Sequence, residues 1–338
     1  MDHKRRVLAV KAHFQVVAFL IASALIAVIF YTKTINFYGF DRSPAVKEFT
    51  QPAKADAPIV HMGLQISSFS EFKVSKGEFS FAGSIWFQYD PKKISLKDIK
   101  KFQLVHGEIS SVSAPKVKSI GDQEVAQFEI TATFKNRLNY AAFPLGDHYV
   151  NIGVVNYALP EGTMFQSASN DFDIEESVHI PGWRILSRKI KTGFVDRFFG
   201  KDKLHHTEQA GIFFILECKR TDPVFLITIL VSLMLILLVS MIPFSMEEYS
   251  GDLISGAIGG IVAFRFVIAA LSPKDVGYFM LVDYMFILAL ISVMVAVLGC
   301  IMARQFNWSE RLQNGMVVGI YSFFVLGSWL SLFVIERL

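Results

Sequence analysis

Apolar residues gather in five long runs along the chain. The runs cover residues 14–31, 224–243, 253–271, 278–303 and 316–335. A helix rises about 1.5 Å per residue, so each run is long enough to cross the hydrocarbon core of a bilayer, which is about 30 Å thick. The pattern therefore predicts five membrane-spanning helices, of which four follow one another closely in the C-terminal part of the chain.

Between the first and second runs, the hydrophobic period shortens to two residues. Segments such as "EFSFAGSIWFQYD", "VAQFEITATF" and "GIFFILECKR" alternate apolar and polar positions, and polar turns separate them. Short strands at this spacing are typical of an antiparallel β-sandwich. Within this region "SLKDIKKF" favours a helix of one or two turns. The predicted fold class is an α+β membrane protein: an external antiparallel β-sandwich followed by a four-helix transmembrane bundle, plus one N-terminal transmembrane helix.

The same pattern divides the chain into four parts. Residues 1–32 are predicted to hold a cytoplasmic tip and a transmembrane anchor, and residues 33–58, which contain three prolines, a linker. Residues 59–221 are predicted to form the external β-sandwich, and residues 222–338 the four-helix transmembrane domain. The first apolar run resembles a signal peptide, but no small-x-small pair closes it, so an uncleaved anchor is favoured.

Basic residues predict the orientation of the helices. The segment "MDHKRR" and the loop that carries Arg304 and Arg311 are expected in the cytoplasm, because positively charged loops are retained there. If the N-terminus is cytoplasmic and the chain crosses the membrane five times, both basic segments lie in the cytoplasm and residues 32–222 lie outside. We therefore expect an integral plasma (inner) membrane protein whose β-domain is periplasmic or extracellular.

Composition argues against several function classes. The chain is 52% hydrophobic, and a net charge of +3 is too small to indicate nucleic-acid binding. The two cysteines, Cys218 and Cys300, lie far apart, and no Cys/His spacing is typical of a zinc site. No nucleophile elbow, HExxH pair or phosphate-binding glycine loop occurs in the sequence. We therefore expect no enzymatic activity, no catalytic residues, no structural metal and no cofactor.

Several motifs, in order, resemble those of the pentameric ligand-gated ion channel (Cys-loop receptor) superfamily of the prokaryotic type. "FPLGDHYVNI" is similar to the family's F-P-x-D loop, and Arg220 to the arginine before its first bundle helix. Pro243, "LSPK" and "YFMLVDY" are similar to its features around the next two helices. The resemblance covers residue 59 to about the C-terminus. Departures are the extra Gly146 before Asp147, the lack of cysteines flanking the loop, and the N-terminal span.

The resemblance implies that the second bundle helix from each of five subunits lines a pore. Counting back from "LSPK" gives an acidic cytoplasmic mouth and an inward face of mostly small residues: Glu248, Asp252, Gly256, Gly259, Ala263, Phe266 and Ala270. A ring of carboxylates attracts cations and repels anions, and Phe266 is the candidate for a hydrophobic constriction. Small residues also permit close helix packing, so the alternative is that "GAIGG" is a packing face.

Arg265 is the basic residue of this helix. It lies about 100° around the helix from Phe266, so we expect it to face a neighbouring helix or subunit. A buried arginine needs a partner, and Asp283 at the top of the third bundle helix lies at a matching depth. The alternative is that Arg265 points inward, where a ring of five would oppose cations.

The resemblance also implies a ligand site between subunits, lined by aromatic side chains that suit amines through cation–π contact. The candidates are Trp86, Tyr89, Tyr157, Phe198 and Phe199. Trp86 and Phe87 point to opposite faces of one strand, so one of them is expected in the core. For each aromatic residue taken singly, core packing is the alternative.

A polar segment, "DKLHHTE", follows the last of these aromatic residues. Its Asp202, His205, His206 and Glu208 are candidates to bind a divalent ion or to sense protons. Adjacent residues on a strand point apart, which argues against binding through both histidines. A solvated loop is the alternative.

Gating requires coupling between the two domains. The resemblance implies that the "FPLGD" loop, the turn around Lys73–Lys76 and the "SPKD" loop converge there. The candidate coupling residues are Pro144, Asp147, Arg220, Pro273, Lys274 and Asp275. Lys274 and Asp275 are candidates to exchange ion-pair partners with Asp147 or Glu71, and the alternative is that they are solvated.

Together with the resemblance, which alone implies the pentamer, these observations predict a homopentameric, cation-selective channel gated by an unknown external small ligand, by protons or by a divalent ion. Its other partners would be membrane lipid and permeating monovalent cations. The alternative is a non-conducting membrane receptor or scaffold of the same architecture, which the glycine-rich face, Arg265 and the extra span favour. A transporter is a weaker alternative, because no inverted repeat occurs.

Overall fold

The structure is a computed structural model. It describes residues 2–36, 39–41, 44, 57–199, 205–246, 250–274 and 276–337. The chain forms two compact units. The helical unit comprises Met1–Phe40, Tyr140–Gly146 and Asp222–Leu338, and the β unit comprises Asp41–Asn139 and Asp147–Thr221.

Six α-helices occur in the described part of the chain. They are α1 (Asp2–Ile35), α2 (Leu96–Ile99), α3 (Val224–Met241), α4 (Ser250–Leu271), α5 (Leu281–Gln305) and α6 (Glu310–Glu336). All except α2 belong to the helical unit, and these five are long and apolar enough to cross a membrane. The five spans that the apolar runs predict are therefore present as helices.

Eleven strands occur in the same described residues. They are β1 (Ile59–Lys73), β2 (Glu78–Tyr89), β3 (Gln103–Val105), β4 (Gly107–Val112), β5 (Lys116–Ile120), β6 (Gln123–Lys135), β7 (His148–Val155), β8 (Met164–Gln166), β9 (Phe172–Ile174), β10 (Trp183–Phe199) and β11 (His205–Arg220). The predicted combination of a strand-rich region with four following helices is confirmed.

Two sheets build the β unit. The first has the order β4-β6-β2-β1-β8, with β5 also paired to β6 and β9 also paired to β1. The second has the order β10-β11-β7-β3. Pairing is antiparallel throughout the second sheet, but in the first sheet β1 runs parallel to the short strands β8 and β9. These two parallel pairs differ from the wholly antiparallel arrangement that the sequence predicts.

Alternate strand residues fill the space between the sheets. On β2, Ile85 and Phe87 are fully buried, whereas Trp86 between them is half-buried. This is the two-residue period of a strand with one face in a core. Phe172 of β9 and Phe214 of β11 join the two sheets, with ring centroids 5.1 Å apart. The β unit therefore has the layered core of a sandwich.

The helical unit is held together by apolar side chains from all five of its long helices. Its core includes Ile26 of α1, Leu237 of α3, Ile261 of α4, Ala289 of α5 and Phe324 of α6. The helices also extend beyond the apolar runs; α6, for example, begins at Glu310 in a polar segment. The residues that follow Glu310 in this segment, Arg, Leu and Gln, favour helix formation, so α6 includes this polar segment.

Polar contacts fix α1 near its middle and at its C-terminal end. The buried side chain of Gln15 donates from Nε2 to the carbonyl oxygen of Met241, 2.9 Å away, at the C-terminus of α3. That carbonyl belongs to the last turn of a helix, where acceptors lack intrahelical donors. At the C-terminal end of α1, Lys33 forms an ion pair with Glu336 at the end of α6. Because α3 and α6 run in opposite directions through the bundle, α1 and α6 are parallel.

Candidate pore helix and coupling loop

Helix α4 has a packed face and an exposed face. The packed face consists of Ala257, Ile261, Phe264 and Ile268, which are buried against other helices of the unit. The predicted pore residues that the structure describes all lie on exposed positions: Asp252, Gly256, Gly259, Ala263, Phe266 and Ala270. Glu248 lies outside the described residues. The predicted face is thus available to contact water, lipid or another subunit, and lining a pore stays a prediction.

The glycines on the exposed face are not required by packing inside the chain. A Cβ atom built on Gly256 or on Gly259 meets no heavy atom within 4 Å. A Cβ atom on Gly260, one position further on, would lie 3.2 Å from Cγ1 of Ile236 on α3. Close packing between helices therefore explains Gly260 within one chain, and it does not explain the other two glycines.

Phe266 is the most prominent apolar side chain on this face. It is 72% exposed, the largest exposed fraction among the large hydrophobic residues of the described chain. A phenylalanine held at this exposure in a monomer is positioned to meet a copy of itself around a symmetry axis or to contact lipid. Its exposure is compatible with the predicted constriction.

Arg265 points to the third bundle helix, as the sequence predicts. Its Nη1 atom lies 2.7 Å from Oδ1 of Asp283, and its guanidinium carbon lies 5.4 Å from the ring centroid of Phe286. Asp283 also accepts a hydrogen bond at 3.0 Å through Oδ2 from the backbone N–H of Met280. The carboxylate therefore caps the start of α5 and neutralises the arginine of α4. The predicted pairing is confirmed.

The "FPLGD" loop is bonded by its backbone to the start of α5. The N–H groups of Leu281 and Val282 donate to the carbonyl oxygens of Ala141 and Phe143, at 2.8 and 3.1 Å. The first N–H groups of a helix have no partner within the helix, so the loop supplies the acceptors they need. The loop and the first turn of α5 are thus joined by bonds that do not depend on side-chain identity.

Two aromatic side chains add to the contacts of this loop. The N–H group of Tyr140 donates to Oη of Tyr278 at 2.8 Å, and the ring of Phe143 lies 5.4 Å from that of Phe225 on α3. Pro144, which follows Phe143 through a cis peptide bond, is buried. The segment Tyr140–Gly146 therefore belongs by its contacts to the helical unit, although strands of the β unit precede and follow it.

The acid of the loop is bonded within the β unit. Asp147 is 3% exposed, and its Oδ1 atom accepts a hydrogen bond at 2.9 Å from the backbone N–H of Arg220. The guanidinium carbon of Arg220 lies 5.7 Å from the ring centroid of Trp183. Burial, together with the charges of Asp147 and Asp41, raises the pKa of the nearby Cys218 thiol to about 12.

The other candidate coupling residues lie between α4 and α5. Pro273 is buried and Lys274 is exposed, whereas Asp275 lies outside the described residues. Glu71 forms an ion pair with Lys73 at the end of β1, with 2.7 Å between Oε1 and Nζ. Lys73 is exposed, and its hydrogen bond to Glu71 raises its pKa. An exchange of ion-pair partners during gating stays a prediction.

The candidate ligand-binding aromatics have different environments. Phe87 and Tyr89 are buried in the sandwich core, and Oη of Tyr89 donates to Oε2 of Glu124 at 2.9 Å. Burial and this hydrogen bond raise the pKa of Tyr89 above its usual value. Trp86 lies half-buried on the opposite face of β2, over Gly63, where a Cβ atom would be 2.4 Å from the indole ring. The prediction that one of Trp86 and Phe87 lies in the core is confirmed.

The remaining candidates belong to the second sheet. Tyr157 follows β7 and is 36% exposed. The backbones of Phe198 and Phe199 end β10 and pair with those of His206 and His205, but their side chains lie outside the described part. Trp86 and Tyr157 are therefore the candidates with accessible aromatic surface in the described chain. The core position of Tyr89 favours a structural role for that residue.

Divalent-ion binding by the "DKLHHTE" segment stays a prediction, because Asp202 and the side chains of His205, His206 and Glu208 lie outside the described part. Among the residues that the structure describes, no group of three His, Cys, Asp or Glu side chains is arranged to hold a metal ion. No protein-family model matches the chain, and no curated protein matches it. The function of this chain is therefore inferred from the geometry of its helices and loops and from its sequence motifs.

The sequence motifs gave no indication of two features of the structure. One is the hydrogen bond that the Tyr278 hydroxyl accepts, and the other is the burial of the Asp41 side chain in the β unit. Asp41 lies in the stretch that the sequence predicts as a linker. A polar residue among prolines and charges carries no periodic signal, so nothing in the sequence distinguishes Asp41 from the other charged residues of this stretch.

Proposed function

We propose that this chain is one subunit of a homopentameric, cation-selective ion channel of the pentameric ligand-gated type. The coarse architecture supports the proposal: a two-sheet β unit, then four apolar helices, with the "FPLGD" loop bonded to the start of α5. The channel would lie in the plasma (inner) membrane, with its β unit on the external side. Its permeating partners would be monovalent cations, and lipid would surround the bundle.

The exposed face of α4 is the observation that carries this proposal. Asp252 begins the face, small residues follow it, and Phe266 comes near its end, with no intrachain contact for a Cβ atom on Gly256 or Gly259. Arg265 is neutralised by Asp283 on a neighbouring helix. Five copies of such a face would form an axis with carboxylates at one mouth and no unpaired cation beside it.

Gating would start in the β unit and reach α4 through the loop. The N–H groups of Leu281 and Val282, which start α5, are bonded to the loop, and the α4–α5 connection directly precedes them. A displacement of the loop would therefore move the upper end of α4. The agonist would be a small external ligand, protons or a divalent ion, with Trp86 and Tyr157 as the accessible aromatic candidates. We propose no enzymatic activity for either unit.

Conductance of the purified protein in liposomes tests the proposal. In the wild type we expect cation-selective currents, screened across pH and divalent-ion concentration, and in Asp252→Asn and Glu248→Gln a smaller preference for cations. Glu310→Gln is the matched control, because Glu310 is exposed at the end of the bundle where α4 begins but belongs to α6. Equal effects of all three substitutions would indicate general surface charge and contradict a pore along α4.

The second candidate function is a non-conducting receptor or scaffold of the same architecture. It is favoured by Gly256 and Gly259, which leave the middle of the exposed face of α4 without bulky apolar side chains. In that case a folded oligomer would bind its ligand without current. A ligand that shifts the melting temperature of the wild type while liposomes stay electrically silent would support the receptor.

A further inference from the structure

With one carboxylate, Asp41 binds the chain on both sides of residues 140–147, the loop that contains "FPLGD". Its Oδ1 atom accepts a hydrogen bond at 2.5 Å from the N–H group of Asn139, which directly precedes the loop. Its Oδ2 atom accepts one at 2.8 Å from the N–H group of Tyr149 and lies 2.9 Å from Nδ1 of His148, both just after the loop. We call this arrangement the Asp41 clasp: Asp41 with Asn139, His148 and Tyr149.

The two side chains that meet in the clasp, those of Asp41 and His148, are almost completely shielded from solvent. The side chain of Asp41 is 1% exposed, and that of His148 is 4% exposed. The ring of His148 lies 5.8 Å from the ring of Trp183. A buried carboxylate without donors is costly, whereas hydrogen bonds to a charged acceptor are about twice as strong as neutral ones. The four groups therefore stabilise one another, and loss of the carboxylate leaves two backbone donors in a dry site.

No covalent bond closes this loop. The chain has two cysteines, Cys218 and Cys300, and both are free and buried in the structure. The strands that flank the loop, β6 and β7, lie in different sheets, and outside the clasp the side chain of Asn136 bridges them through two hydrogen bonds with the backbone of Asn151. The Asp41 carboxylate thus bridges a part of the chain where sheet hydrogen bonds between the flanking strands are lacking.

The chain just before Asp41 leads back to α1. Phe40 packs against the apolar core of the helical unit, and α1 itself ends at Ile35. Gln15, near the middle of α1, and Lys33, near its C-terminal end, fix this helix to α3 and to α6. A short segment therefore connects a helix that is anchored in the bundle to the residue that clasps the loop.

We propose that Asp41 is a positioning residue for gating: it closes the coupling loop and links that loop to the N-terminal helix. This inference rests on the proposed channel function and adds to it a role for α1 and the linker. Asp41 contacts neither ligand nor permeating ion in this role. It acts by holding the backbone of Asn139 and Tyr149, and so determines how the loop presents Ala141 and Phe143 to α5.

Two measurements on the full-length oligomer test the clasp with Asp41→Ala and Asp41→Asn. The first is amide hydrogen exchange at Asn139 and Tyr149, which does not depend on conductance. We expect exchange at both amides to become about tenfold faster or more in Asp41→Ala, because each loses a hydrogen bond to a charged acceptor. Asp41→Asn keeps one acceptor oxygen, so we expect a smaller increase, concentrated at one of the two amides.

The second measurement is the midpoint of gating in liposomes, for whichever stimulus opens the wild type. We expect a shift of about threefold to tenfold in both variants, larger in Asp41→Ala, with unchanged ion selectivity. Asp122→Ala is the matched control, because its side chain is 94% exposed and its ion-pair atom lies 3.8 Å from Lys92. We expect this control to change neither the amide exchange at the clasp nor the midpoint.

Each outcome decides between the clasp, its role in gating and the channel itself. Unchanged exchange at Asn139 and Tyr149 would overturn the clasp. Faster exchange with an unchanged midpoint would reduce Asp41 to a structural residue and overturn its positioning role. A wild type that conducts under no condition would contradict the channel, and the gating role with it, while the exchange data would still show whether the clasp exists. If Asp41→Ala does not assemble, Asp41→Asn provides both readouts.

Discussion

Arg265 and Asp283 form an ion pair, with 2.7 Å between Nη1 and Oδ1, that joins the second and third helices of the bundle. The pair gives α4 a basic residue without leaving a net positive charge on the helix at that depth. It also connects α4 to the first turn of α5, where Asp283 accepts from the N–H of Met280. Any movement of the α4–α5 connection therefore acts on both partners.

The first prediction concerns this ion pair. Asp283→Asn should lower the melting temperature of the oligomer, because it leaves the charge of Arg265 uncompensated in an apolar environment. The side chain of Arg265 is 49% exposed, so we expect a loss of about 1 kcal/mol rather than the larger cost of a fully buried pair. The cation preference should also fall, since an unpaired arginine would lie beside the proposed pore.

The double variant Arg265→Gln/Asp283→Asn is the control for this prediction. It removes both charges and keeps groups that form hydrogen bonds, so most of the stability and of the cation preference should return. A double variant as unstable as Asp283→Asn alone would show that capping of α5 by Asp283, and not the ion pair, dominates.

The second prediction concerns the exposed glycines of α4. Gly256→Ala and Gly259→Ala should each raise thermal stability, by up to about 1 kcal/mol, because alanine favours helix and its Cβ atom meets open space. In the proposed pentamer the same substitutions should reduce single-channel conductance, because the added methyl groups would lie near the axis. Melting curves and single-channel recordings measure the two effects.

Gly260→Ala is the matched control for the glycines. Its Cβ atom would lie 3.2 Å from Ile236, so the gain in helix propensity should be offset by crowding against α3, with little change in conductance. A loss of oligomer in Gly256→Ala or Gly259→Ala would instead identify these positions as a packing face between subunits.

The third prediction concerns the contact between the loop and the α4–α5 connection. Tyr278→Phe removes the hydroxyl that accepts the hydrogen bond from the N–H of Tyr140, which we expect to cost about 1 kcal/mol. The midpoint of gating should shift while selectivity remains unchanged. Tyr284→Phe is the control, because it also removes a tyrosine hydroxyl, but from the first turns of α5 and not from the α4–α5 connection. Equal midpoints in the two variants would contradict a role for the Tyr278 hydroxyl in coupling.

The fourth prediction concerns Cys218 and pH. Burial and the carboxylates of Asp147 and Asp41 raise the pKa of its thiol to about 12, whereas an exposed cysteine titrates near 8.5. The unfolded chain therefore loses this proton at lower pH than the folded chain does. The contribution of Cys218 to stability is complete below pH 8.5 and decreases as the pH rises towards 12.

Thiol labelling and alkaline unfolding measure this effect. In a Cys300→Ala background, Cys218 should react with maleimide at pH 8 much more slowly than an exposed thiol does. Cys218→Ala should flatten the loss of stability between pH 9 and 11. Rapid labelling of the folded wild type would contradict the burial of this thiol.

Periodicity predicted the elements of this fold well, because burial imposes it over many residues. The long helices are apolar over most of their length, and the alternation in β2 was enough to predict that one of Trp86 and Phe87 lies in the core, although not which of them. The parallel pairing of β1 with β8 and β9 was not predicted, since strands of three residues carry too little pattern. Helix ends such as Glu310 also extend past the apolar runs, because propensity continues the helix there.

Individual contacts were predictable where the alternatives were few. Arg265 needs an acid, and Asp283 was the partner that the sequence offered, beside the alternative that Arg265 points inward; the structure shows the pair. Asp41 has no such constraint, because its partners Asn139 and Tyr149 are separated from it by about a hundred residues and are bonded through their backbones. Backbone donors are identical at every non-proline residue, and no side-chain pattern reveals which of them a distant carboxylate will bind.

The ion pair between Lys33 and Glu336 joins residues that are 303 positions apart. Nearly the whole polypeptide must therefore be synthesised before Glu336, the partner of Lys33 on α1, exists. During synthesis, α1 is complete long before α6 exists, and the buried Gln15 lacks the carbonyl of Met241 until α3 has followed the whole β unit. The helical unit therefore reaches its final packing only after α6 has been synthesised. Truncation within α6 would remove Glu336 and, with it, the contact that fixes the C-terminal end of α1 to the last helix of the chain.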